Sequence, residues 1–100
     1  MYEKKIMLAF ARVHILHHAG EKRGIYGAWM MEELSGHGYS MGPGTLYPIL
    51  HDMEKEGLLT SEDVTVSGKV RKVYHLTDDG RKTLGSLKKL IRELYGEVIG

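Results

Sequence analysis

The stretch that decides the fold is Gly42-Pro43-Gly44-Thr45-Leu46-Tyr47-Pro48-Ile49-Leu50-His51-Asp52-Met53-Glu54-Lys55-Glu56-Gly57. Leu46, Ile49, Leu50 and Met53 recur at helical spacing and form one apolar stripe, which predicts a helix from Pro43 to about Glu56 packed on a core. Proline suits the first helical position, Gly42 is a tolerable cap, and Gly57 ends the helix. Pro48 lies about one turn inside and has no N–H to donate, so a local irregularity is expected there.

Two helices precede this one. Residues Glu3 to His18 contain neither glycine nor proline and stop at Ala19-Gly20. Apolar side chains cover most of that helix's circumference, so it must be buried on more than one side. A hundred residues supply little protein to do so, which makes a second chain the natural cover. Ile25 to Ser35 predicts a second helix carrying Trp29, Met30 and Leu34, followed by the glycine-rich connection 36–42.

Downstream, Leu58 to Val66 and Val70 to Leu76 read as two strands joined by a tight turn at Ser67-Gly68. Thr77 before Asp78 and Asp79 is a helix start, a capping hydroxyl followed by acids at the positive end of the dipole. In the helix that follows, Leu84, Leu87, Ile91, Leu94 and Val98 are spaced 3, 4, 3 and 4, the seam of a coiled coil. Two heptads do not sustain a free coiled coil, so the seam is expected to pack on the first helix of a partner subunit.

Length and composition bound the function. The chain is one domain's worth of residues, with charged and apolar fractions ordinary for a globular protein. No apolar run approaches the ~20 residues of a spanning helix, and the N-terminus lacks the pattern of a signal peptide. The expected compartment is the cytoplasm, with no membrane partner. The chain has no cysteine, which excludes disulfides, thiolate metal sites and cysteine nucleophiles. The net charge is only +1, but it is segregated: acids dominate from Asp52 to Asp63, whereas Lys69, Arg71 and Lys72 stand without any acid between Val64 and Leu76. Such a surface can hold a polyanion in a nearly neutral protein.

Nothing points to an enzyme. The stretch Gly36 to Gly44 lacks the ending of a phosphate loop, and Met41 stands where a dinucleotide fingerprint needs its third glycine. The acids at Glu32-Glu33 and Asp78-Asp79 are adjacent pairs, not convergent catalytic ones, and no cofactor is called for.

Three helices, a hairpin with a basic tip and a trailing helix are the order of a winged helix-turn-helix. The fold class is therefore mainly α (α+β), with a three-helix, two-stranded-wing DNA-binding domain over residues 1–77. A C-terminal dimerisation helix over 78–100 forms one compact unit with the first helix. The string Gly44-Thr45-Leu46-Tyr47-Pro48-Ile49-Leu50, then Met53-Glu54-Lys55-Glu56-Gly57-Leu58-Leu59, resembles the signature of PadR-like transcriptional regulators. Tyr26-Gly27 and Val73-Tyr74-His75-Leu76-Thr77 with Gly80 fit the same pattern. The resemblance spans Leu8 to Leu94 and implies a homodimeric repressor of the short type, dimerised by its last helix. Departures are Gly42 where a serine cap is more frequent, Ala28 where tyrosine is, and a wing with three basic residues.

The candidate DNA-binding residues follow. Pro43, Gly44 and Thr45 occupy the first turn of the third helix, where free N–H groups can meet a phosphate. Tyr47 is one turn on and His51 one turn further along the same face. Lys69, Arg71 and Lys72 suit phosphate contacts from the wing, with Arg71 expected to enter a minor groove. The bland readings are a helix start, a core tyrosine and a solvated strand pair; the family string tips the balance towards DNA. The expected partner is a pseudo-palindromic duplex, read by a homodimer joined through Met7, Phe10, Leu84, Leu87, Ile91, Leu94 and Val98.

Two features carry alternatives. Trp29 is either a core aromatic, the commoner fate at helical spacing, or the wall of a dimer cavity for a flat aromatic effector. His14 and His18 are four apart on one helix face, a spacing that can chelate a metal with a third ligand from His37, His75 or a second subunit. Their helix offers no carboxylate or thiolate beside them, so polar positions at the end of a buried helix are the preferred reading. A metal-responsive regulator, or a winged-helix interaction module without DNA, are the alternative functions.

Overall fold

A computed structural model describes residues 2–100. The elements run α1 (Tyr2–Ala19), α2 (Gly27–Gly36), α3 (Pro43–Lys55), β1 (Leu59–Val66), β2 (Lys69–Leu76) and α4 (Asp78–Val98). Four helices and one antiparallel hairpin make the winged helix-turn-helix that the sequence predicts.

The hairpin turns at Ser67-Gly68, both with positive φ (51° and 79°), the backbone of a type I′ turn matched to the twist of the strands. Register follows, from Val66 opposite Lys69 to Leu59 opposite Leu76. Ile25, expected at the start of α2, lies instead in a β-bridge: its N–H donates to Tyr74 O at 2.9 Å and its carbonyl accepts from Tyr74 N–H. This bridge ties the wing to the segment before α2, and α2 begins only at Gly27.

The core gathers Ala11, Ile15, Leu16 and Ala19 of α1, Ile25, Met30 and Leu34 around α2, and the stripe Leu46, Ile49, Leu50 and Met53 of α3, closed by Leu59, Tyr74 and Leu84. The stripe on α3 is thus core, as its spacing predicts. Pro48 does not break the helix. It is exposed, and it forfeits a single hydrogen bond within the first turns of α3, on a face open to solvent.

Thr77 joins α3, the wing and α4. Its side chain accepts from Gly80 N–H at 3.0 Å and donates to Gly57 O at 2.5 Å, while its N–H donates to Leu58 O at 3.1 Å. From there α4 leaves the core. Leu84 is 8% exposed and Leu87 packs against the core, whereas every residue from Lys88 onward is exposed. The protruding helix explains a radius of gyration of 14.1 Å, against about 13 Å for a compact chain of this length.

Candidate nucleic-acid interface

Helix α3 presents Pro43, Gly44, Tyr47, Pro48, His51 and Asp52 to solvent, opposite its buried stripe. At its start the free donors are fewer than expected. Thr45 N–H already donates to Gly42 O at 3.1 Å, as does Leu46 N–H at 3.0 Å, so Gly44 carries the N–H of this turn best able to meet a phosphate. Thr45 is half-buried.

Tyr47 is 43% exposed, with its ring laid on Gly27 at the start of α2. A Cβ at position 27 would run into the tyrosine ring and its hydroxyl, so the absence of a side chain there is what seats the ring. The Tyr26-Gly27 pair thereby acquires a physical role that spacing could not disclose.

A cleft opens between α2, α3 and the wing, lined by Tyr26, Tyr47, His51, Val70, Arg71 and Lys72. Arg71 does not project into solvent as a minor-groove finger would. Its guanidinium sits 5.0 Å from the centre of the Tyr26 ring, and its Nε is buried with no protein partner. Stacking holds the cation on the α3 side of the wing, aimed into the cleft beside Tyr47 and His51. Lys69 and Lys72 are exposed on the hairpin. Val73, two positions along β2 from Arg71, is buried.

A family model described as the transcriptional regulator PadR-like family matches residues 15–86. The chain belongs to the PadR-like family. It is 46% identical over 97 residues to the transcriptional regulator Rv3488 of Mycobacterium tuberculosis, covering 97% of this chain and 90% of that protein. A PadR-like transcription factor of Bacteroides fragilis shares 31% identity with a TM-score of 0.74, covering 97% of this chain and 91% of the other. A PadR-like transcriptional regulator of Bacillus cereus superposes with a TM-score of 0.80 at 26% identity, over 96% and 98%. The protein is therefore a DNA-binding transcriptional regulator and not an enzyme. Among the described residues, no helix is long and apolar enough to cross a membrane.

On the far side of this PadR-like fold, α1 and α4 form an apolar groove of about 810 Å³, lined by Phe10, Val13, Leu87, Ile91, Leu94 and Val98 among others. Met7, Phe10, Ile91, Leu94 and Val98 are exposed, but Leu84 belongs to the chain's own core. The heptad seam thus divides: Leu84 and Leu87 fasten α4 to the domain, and Ile91, Leu94 and Val98 face outward. Trp29 does not line the groove. It packs partly against the core, with its ring edge-on to His18 at 5.3 Å.

The histidines of α1 meet the end of α2. His14 stacks on His37 with ring centres 4.7 Å apart and meets Tyr39 edge-on at 5.3 Å. Burial, then the neighbouring His37, His18 and His17, hold the His14 imidazole below its ordinary pKa of 6.5. His75 lies elsewhere, paired with Glu62 at 3.2 Å. The carboxylate that α1 lacks comes from α2: Glu33 Oε2 is 2.9 Å from His37 Nε2 and 3.4 Å from His18 Nε2. Residues Glu33 and His18 are fifteen positions apart, so no local spacing could pair them.

Proposed function

We propose that the protein is a homodimeric, sequence-specific reader of duplex DNA and a repressor of transcription, acting in the cytoplasm. The observation that carries this reading is the cleft in which Tyr47 and His51 of α3 face Arg71 and Lys72 of the wing. Helix α3 enters the major groove with Tyr47 and His51 turned to base edges. Gly44, Thr45 and Pro43 approach the adjoining phosphate, and Lys69, Lys72 and the stacked Arg71 follow the backbone.

The α1 and α4 groove supports a dimer. Ile91, Leu94 and Val98, with Met7 and Phe10, are a contiguous apolar face, and a second copy of the chain has the same face to offer. Residues 1–77 then read DNA, while 78–100 join α1 as the dimerisation unit. A twofold dimer places two α3 helices on half-sites about 34 Å apart, on a pseudo-palindromic operator. A flat aromatic effector held between the subunits would release the operator by favouring another relative orientation. The groove suits it better than Trp29, which stands apart.

Selection of random duplexes by the purified protein tests the reading, with enriched sites re-measured at two salt concentrations. A palindromic motif whose affinity falls steeply with salt is the expected result. Binding indifferent to sequence would favour the interaction module instead.

A further inference from the structure

We infer that His14, His18 and His37, with Glu33 beside them, form a binding site for a divalent transition-metal ion of the zinc class. The three histidines each bring a ring nitrogen within 4.8 Å of the others. A tetrahedral zinc centre with Zn–N bonds of about 2.0–2.1 Å holds its ligand atoms about 3.3 Å apart. His37 is 47% exposed and sits just past the end of α2, so rotation of its side chain closes the difference without moving the core. His14 and His18 come from successive turns of one helix and are already on the same face.

Glu33 stands beside this group. Its Oε2 lies 2.9 Å from His37 Nε2 and 3.4 Å from His18 Nε2, so a side-chain rotation would bring a carboxylate oxygen to the ion as a fourth ligand. Glu21 supplies the outer support: its Oε1 lies 2.6 Å from His18 Nδ1, the arrangement that places the proton on Nδ1 and leaves the Nε2 lone pair for a metal. Three imidazoles and a carboxylate select zinc, cobalt, nickel or copper(II). Magnesium and calcium require mostly oxygen ligands, and copper(I) requires sulfur.

The position gives the ion leverage. It would bind α1 to α2 and to the connection that ends at Gly42, the cap of α3, while His14 also lines the groove between α1 and α4. One ion would therefore set the angle between the DNA-reading helix and the helix carrying the apolar face. The site itself does not depend on the DNA reading, and its test involves no DNA.

The test uses the full-length, tag-free chain, stripped with a chelator that is then removed. Titration with Co²⁺ is followed by its visible absorption bands, and titration with Zn²⁺ by the thermal unfolding midpoint. One ion per chain, with the intense visible bands of a four-coordinate cobalt, is expected. Glu33→Gln and Glu21→Gln should each weaken binding about tenfold or more. His37→Ala should weaken it further, although its metal-free unfolding midpoint stays that of the parent. His37→Gln keeps the bulk of the side chain and serves as a second test of the same position. His17 belongs to a rival exposed group with His18 and Glu21, and His17→Ala should leave binding unchanged. Equal affinity in the parent, His37→Ala and His37→Gln would overturn the inference, as would loss of binding in His17→Ala alone.

Discussion

At the scale of single residues, the proposed reading of DNA depends on how Tyr47 is held. Its ring and hydroxyl lie against Gly27, a position with no room for a Cβ, and the residue lines the cleft that Arg71 shares. Replacing Tyr47 with alanine should lower operator affinity by about 1–3 kcal/mol, the scale of a lost base-edge or phosphate contact, while the dimer persists. Fluorescence anisotropy with the selected operator measures this, and unchanged affinity would remove α3's tyrosine from the interface. Gly27→Ala should act through the same ring. Overpacking against Tyr47 should cost about 1–3 kcal/mol of stability, and most of that cost should vanish in the Tyr47→Ala background. Urea denaturation of the four proteins closes the cycle. Additive losses would show that the ring is not what Gly27 accommodates. None of this was legible from residues 26 and 27 alone. A glycine beside a tyrosine reads as a helix start, and only the packing of α2 on α3 shows which side chain needs the space.

Among the elements, those fixed by local chemistry are legible in the sequence. The stripe of α3, the Ser67-Gly68 turn and the Thr77 cap each depend on residues a few positions apart, which pattern reasoning can weigh. Contacts over long sequence separations were not legible. Ile25 reads as helix because it precedes an apolar run, yet its hydrogen bonds go to Tyr74, almost fifty residues away. The strand pattern presents Arg71 as a cation on the wing and gives no sign of Tyr26, 45 positions earlier, against which its guanidinium lies. Thr77 shows how a local signal can also carry a distant load, since its hydroxyl donates to Gly57 O while accepting from Gly80 N–H. Thr77→Ala should therefore cost about 1–2 kcal/mol, the upper range for a lost cap. Thr77→Ser should recover most of it, because only the hydroxyl is required. Chemical denaturation at fixed protein concentration reads both values. A loss in the serine variant equal to that in alanine would assign the effect to the methyl group.

For the whole molecule, the division of the heptad seam decides what a mutation can reveal. Leu84 is a core residue, so Leu84→Ala should cost about 2–5 kcal/mol of folding stability and say nothing clean about assembly. Leu94 is 49% exposed on the outer part of the same seam, so Leu94→Asp should leave the fold intact and place a charge inside the proposed interface. Sedimentation should then show a monomer. The consequence for DNA follows from effective concentration. Two half-sites joined through one dimer bind more tightly than either alone by a factor of about 10²–10⁴, so the monomer should lose that much operator affinity with its α3 surface unaltered. The dependence of log K on log salt should also fall to about half, because each binding event now engages one wing and one helix N-terminus. Loss of affinity with an undiminished salt slope would mean that the mutation damaged the reading head. A variant that still sediments as a dimer would show that the outer seam of α4 does not join the subunits.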